Sequence, residues 1–139
     1  MLLFLAASSL DAMAVCLGDN LVSGYHVPVA KEIKRSYAIV VGTVQGKKDL
    51  REDPSYPEGT TATIYSVRIT QVIRGKVPAL IDIRSENDSG RFWMDLGRAY
   101  LLFLSRDKSN DAFSVDSCGN SGLLAESGAA LHLLEQAGK

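Results

Sequence analysis

The sequence predicts a mainly β fold: a five-stranded antiparallel barrel with a short helix before it and a second helix after it. Three observations carry that reading. Segment 61–73, TATIYSVRITQVI, places Thr63, Tyr65, Val67, Ile69 and Ile73 on one face and Ser66, Arg68 and Thr70 on the other. Alternation of that kind marks a strand with one buried and one wet face. Segment 99–104, AYLLFL, is continuously apolar, the pattern of a central strand. No helical segment separates consecutive strands, which disfavours a parallel sheet, and a small sheet of five strands curls to close its edges.

The elements follow in chain order. Residues 2–10, LLFLAASSL, form an apolar run, too short for a membrane span of roughly 20 residues. With Ala12-Met13-Ala14 behind it, the run reads as the core and cleavage site of a secretory leader over residues 1–14. No Lys or Arg precedes it, so the leader reads as shortened at its start. Pro28 opens PVAKEIKRS, where Val29, Ile33 and Tyr37 recur at helical spacing, and a short helix is expected over 28–36. Residues 37–46, YAIVVGTVQG, give the first strand, with Gly42 as a bulge or bend. The charged run 47–61, KKDLREDPSYPEGTT, reads as a loop. After the alternating second strand, RGKVP makes a turn and LIDIRS is a third strand with Ile81 and Ile83 inward. The loop ENDSG and the segment RFWMDLG lead to the fourth strand, and AFSVDSC is the fifth. Ser127 is expected to cap a final helix, GAALHLLEQA. Barrels of the OB type fit this strand count, and the long loop between strands 1 and 2 is where such barrels often bind ligands.

Charge narrows the function classes. Asp11 is the only charged residue among the first 14, so residues 15–139 carry 15 basic and 15 acidic side chains. A neutral domain lacks the long-range field that draws a protein to nucleic acid or anionic lipid. Neither a nucleic-acid partner nor stable membrane insertion is expected, and the leader points to an extracytoplasmic location, secreted or periplasmic.

Three roles are open for Cys16: a lipid anchor, a reactive or metal-binding terminus, or a disulfide. Val15 and Met13 suit a lipidation signal poorly, and Cys118 offers a partner in an oxidising compartment. A Cys16–Cys118 bridge would close a loop of ~100 residues, worth ~4–5 kcal/mol on the chain-entropy model. Two unpaired buried thiols are the alternative. A nucleophilic pair of Cys118 with His26 or His132 has no local signature to support it. Asp82, Glu86 and Asp88 lack the spacing of a calcium loop and read as a solvated acidic segment. No phosphate loop, G-x-S-x-G or H-E-x-x-H is present, so no catalytic residue, metal or cofactor is expected. Tyr65 shares a face with Val67 and reads as core. Phe92 and Trp93, adjacent on an extended segment, point oppositely; they read as closing a barrel end, with one able to face solvent.

Five pieces line up in order with a known family: a cysteine just past the leader, then SYAIVVGTV, YSVRITQVIRGK, SGRFWMDLGRAYLLFL and VDSCGNSGLL. Together they resemble the netrin-like family, which includes the tissue inhibitors of metalloproteinases and many bacterial exported proteins. The resemblance implies an OB-like barrel with flanking helices and a non-enzymatic domain that binds another protein, such as a protease, through one rim. By analogy that rim comprises Val15, Cys16, Leu17 and Gly18 together with Asn87, Asp88, Ser89 and Gly90. In the tissue inhibitors the mature chain begins with a cysteine whose amino group and carbonyl chelate the target's zinc. Here cleavage after Ala14 leaves Val15 first, so Cys16 would lack that amine. Ser89-Gly90 stands where the family has a Cys-Gly that staples the N-terminus. Both departures argue against inhibition by zinc chelation and leave Cys16–Cys118 as the one surviving bridge. A structural module of an envelope assembly and an enzyme with a Cys/His site are the alternative readings.

Overall fold

Two strongly apolar stretches of the described residues, 38–44 and 99–104, become strand segments buried on both faces. A computed structural model describes Cys16, residues 26–109 and residues 111–139, so the predicted leader lies outside the described residues. Helix α1 (Val29–Arg35) leads into strand β1 (Ala38–Leu50), which is followed by β2 (Ala62–Arg74), β3 (Leu80–Glu86), β4 (Ala99–Arg106) and β5 (Phe113–Val115). A short strand β6 (Gly122–Leu123), a single 3-10 turn and helix α2 (Gly128–Ala137) complete the order.

The sheet order β1-β2-β3-β5-β4, with β4 returning to pair with β1, closes the predicted five-stranded barrel. Four of its five junctions are antiparallel, and the fifth is parallel, through Ile83 opposite Phe113. The barrel is therefore mostly antiparallel, as the sequence predicts, with one parallel junction. The parallel contact arises because β4 and β5 form a hairpin whose second strand fills the gap beside β3. β6 adds to β4 beyond β5, with Tyr100 opposite Leu123.

Two apolar clusters share β1 and β4. Val40, Val44, Tyr65, Val67, Ile81, Ile83, Leu102 and Leu104 fill the barrel interior. Ile39, Val41, Leu101 and Phe103 point the other way, under Ile33 of α1 and Leu134 of α2. Successive strand residues face opposite sides, so a strand covered on both faces must be apolar at every position, as AIVV and YLLFL are. β2 and β3 are covered on one face only, and their sequences alternate accordingly.

Alternation alone misplaces one residue. Ile73, which strict period 2 puts with Tyr65, packs instead on the helix-side cluster. The β1–β2 register slips between Val41 and Gly42 and again between Ile39 and Val40, and each one-residue slip flips the following side chains to the other face. Gly42 sits at that slip, as expected, and a Cβ there would lie 2.5 Å from Val67 Cγ1. The two strands can approach so closely only at glycine.

The helices begin and end with identifiable devices. The Pro28 carbonyl accepts from the Lys31 and Glu32 amides, and Ser36 ends α1 by donating its hydroxyl to the Glu32 carbonyl at 2.7 Å. Ser127 precedes α2, but its hydroxyl donates to the Leu123 carbonyl. The expected side-chain cap is absent there, and its backbone carbonyl alone starts the helix by accepting from Leu131. No helix among the described residues is long and apolar enough to cross a membrane.

Candidate functional site

β1 does not stop at Gly46. It continues through Lys47 and Lys48 to Leu50, paired with β2 down to Ala62, and the predicted loop shrinks to the turn between them. This arm of β1 extends beyond the register that β4 covers, since β4 pairs with β1 only from Ala38 to Thr43, while β2 stays paired with β3 on its other side as far as Ala62. The arm's tip is internally braced. Asp53 accepts from the Ser55 amide at 2.8 Å and its hydroxyl at 2.6 Å, and the hydrogen bonds hold its carboxyl below the ordinary carboxylate range. Gly59 leaves room for the Tyr56 ring, which is largely exposed.

Asn87–Gly90 docks against this tip. The Asn87 side chain donates to the Thr60 carbonyl at 2.5 Å and its amide to the Thr61 carbonyl at 2.9 Å. Asp88 folds the next turn by accepting from the Gly90 amide at 2.7 Å. All four residues are exposed, and Asn87 shares with Tyr56 a hollow of about 580 Å³. Below it, Arg84 clamps Glu86 and Glu52 together. Hydrogen bonding by Arg84, aided by its charge, holds the Glu52 carboxyl below its ordinary value.

The connector that follows alternates in and out. Phe92 packs edge-on against Tyr100 and Met94 is buried, whereas Trp93 between them is 60% exposed. The Phe92 amide donates to Ser85 Oγ, the Asp95 amide to the Tyr100 hydroxyl, and the Gly97 amide to the Val44 carbonyl. Trp93 is thus held by its neighbours on both sides. Its ring carries two cations, Arg91 at 4.6 Å and Lys47 of the arm at 5.1 Å from the centroid. Neither cation has a salt-bridge partner among the described residues. Tyr65 lies fully buried beneath, as core; burial pushes its phenol up, and its hydroxyl makes no well-formed hydrogen bond.

Cys16 is buried and bonded to Cys118, a pair separated by 102 positions. This disulfide belongs to the helix side of the molecule. The Cys118 carbonyl accepts from the Val27 amide, and its amide donates to Asp116, which is paired with Arg35 of α1. Different elements therefore position Cys16 and Asn87–Gly90, and no hydrogen bond or ion pair among the described residues joins them. Val15, Leu17 and Gly18, which would link the two, lie outside the described residues.

The remaining candidates are dispersed. The Cys118 sulfur is held in the disulfide and offers no thiol for a nucleophilic pair. His26 and His132 are both exposed, the latter beside Gln136. Asp82 accepts from Ser66, Glu86 pairs with Arg84 and Asp88 serves its own turn, so the three acids are engaged separately. The sequence reading missed Lys47 and Arg91 as companions of Trp93. Period 2 already placed Arg91 on the Trp93 face of RFW; Lys47 arrives only through the arm. The chain matches no protein-family model and no curated protein.

Proposed function

We infer that this chain is an exported, non-enzymatic protein-binding domain of the netrin-like kind, which docks a partner protein through the arm end of its barrel. The docking surface comprises the β1–β2 tip, Asn87–Gly90 and the Trp93 ring with Lys47 and Arg91. The observation that carries the reading is Trp93: a large ring, 60% exposed, held between partly buried Phe92 and buried Met94, and flanked by two cations with no salt bridge among the described residues. Side chains left in the open at such cost in apolar exposure, and of the types Trp and Arg, are those that dominate protein interfaces. The disulfide is consistent with an oxidising, extracytoplasmic compartment.

Trp93 is the only tryptophan in the chain, so its emission reports the site directly. A photo-crosslinker at Ser89 in the exported protein identifies the partner, and titration with that partner is expected to shift Trp93 emission to the blue. Trp93→Ala should weaken the complex by ~30-fold or more, the effect of a central interface residue. Unchanged emission together with an unchanged dissociation constant in Trp93→Ala would remove this face from the reading.

A further inference from the structure

At the other end of β1 the chain builds a second, smaller site. Tyr37 and Phe113 meet with ring centroids 5.7 Å apart, and the Arg106 guanidinium lies over both, at 5.4 and 5.8 Å. Arg106 Nη1 also donates to the Tyr37 hydroxyl at 3.2 Å, and its Nη2 donates to one oxygen of the Asp111 carboxylate. These groups wall a cleft of about 270 Å³, with Leu80, which is half exposed, along one side and Lys76 at its edge. The cleft adjoins a shallower depression that adds Arg35 and Lys108. Lys76 and Lys108 have no ion-pair partner among the described residues. Asp82 also lines the cleft, but Ser66 donates to it.

We propose that this cleft binds a carboxylate carried on an apolar body, with Arg106 taking the carboxylate and Leu80, Tyr37 and Phe113 taking the body. Asp111 shows what the site accepts: it is an internal carboxylate placed on the guanidinium fork. It is also a weak competitor, because it is 84% exposed and sits on the β4–β5 turn at φ 55°. Stacking on two rings fixes the guanidinium before any ligand arrives, which lowers the ordering cost of binding. Guanidinium and carboxylate match as planar, two-pronged partners. Lys76 adds positive charge at the mouth, set against the Asp82 carboxylate on the same lining. The volume holds about nine waters at ~30 Å³ each, enough for a carboxyl group and one ring or branched chain. Two sources share that chemistry: the C-terminal carboxylate of a peptide with an apolar last residue, and a small free acid.

The test uses the full chain and three probes followed by NMR: N-acetyl-Ala-Phe with a free C-terminus, its C-terminal amide, and phenylacetate. The free peptide acid should shift the Tyr37 and Phe113 ring signals and the Arg106 Nε–H, and the amide should not. Phenylacetate binding as tightly assigns the site to small acids; phenylacetate failing while the peptide acid binds assigns it to peptide termini. Arg106→Gln should weaken binding at least about tenfold. Asp111→Asn keeps a residue that tolerates this backbone and removes the competitor. It should tighten binding by about two- to fivefold, the strength of an exposed ion pair. Equal shifts from acid and amide, no shift from any probe, or weaker binding in Asp111→Asn would each overturn the proposal.

Discussion

Glu32 shows how one buried polar residue organises the helix side of the molecule. It is 2% exposed, on a helix of seven residues whose only other buried residue is Ile33. Its Oε2 accepts from the Asn120 amide at 2.6 Å and the Asn120 side chain at 2.7 Å, while that side chain also donates to the Val27 carbonyl. A Cβ on Gly119 would lie 2.0 Å from Glu32 Oε1. Glu32 is the far end of a flexible side chain, yet Asn120 pins it, so it has nowhere to retreat. Glu32→Ala leaves the part-buried Asn120 amide without an acceptor and its side chain with only the Val27 carbonyl, and should cost about 1–3 kcal/mol. Gly119→Ala should cost about 1–3 kcal/mol through overpacking. The informative measurement is the double mutant by urea denaturation. With the carboxyl gone, the added methyl has room, and Gly119 is not among the positive-φ glycines. Gly119→Ala should then be neutral or stabilising, because it restricts the unfolded chain. Simple additivity of the two costs would mean that the residues do not meet.

The elements were legible wherever a single face decided them. β2 and β3 alternate because only the barrel side is covered, and β4 is apolar throughout because helices lie on its back. The arm was not legible. Lys47, Lys48 and Asp49 look like a loop because this end of β1 has run past β4 and becomes a sheet edge with all three side chains exposed, so burial leaves no imprint on its sequence. The parallel β3–β5 contact and the Ile73 flip were hidden for a different reason, since both depend on long-range register. The surroundings of Trp93 were half legible: period 2 puts Arg91 on its face, but Lys47 arrives from β1. The arm itself predicts a pH response. Glu52 has its carboxyl lowered by Arg84, so the clamp contributes fully above the ordinary glutamate pKa and is lost as pH falls through the lower folded value. Hydrogen exchange at Thr61 and Asn87 should therefore accelerate below about pH 4, while β4 amides keep their protection. Added salt should mimic part of the effect, because the Glu52 side chain is exposed and its charge is screened. Acceleration spread evenly over β4 would mean that acid opens the whole barrel, not the arm.

The molecule combines a barrel closed on itself with a layer of two helices laid over β1 and β4, and one covalent link governs both. Cys16–Cys118 joins positions 102 apart, so the closed loop contains α1, all of β1 to β4, and β5. On the chain-entropy model the link acts mainly on the unfolded state, which makes its effect global, ~4–5 kcal/mol for a loop of this size. A local staple would act differently: it would hold only the Val27, Cys118 and Asn120 neighbourhood, where the backbone of α1's approach meets the turn after β5. The two views separate in a single experiment, hydrogen exchange on the Cys16→Ser/Cys118→Ser variant under native conditions. The global view expects the opening free energies of Leu101, Leu102 and Phe103 in β4 to fall by the same amount as the denaturant-measured stability. The local view expects protection to drop at Val27 and Asn120 while β4 is unchanged. The architecture favours the first outcome. Both apolar clusters run through β1 and β4, so these strands open only when the barrel and the helix layer come apart together. Their amides should therefore register any entropy returned to the unfolded chain.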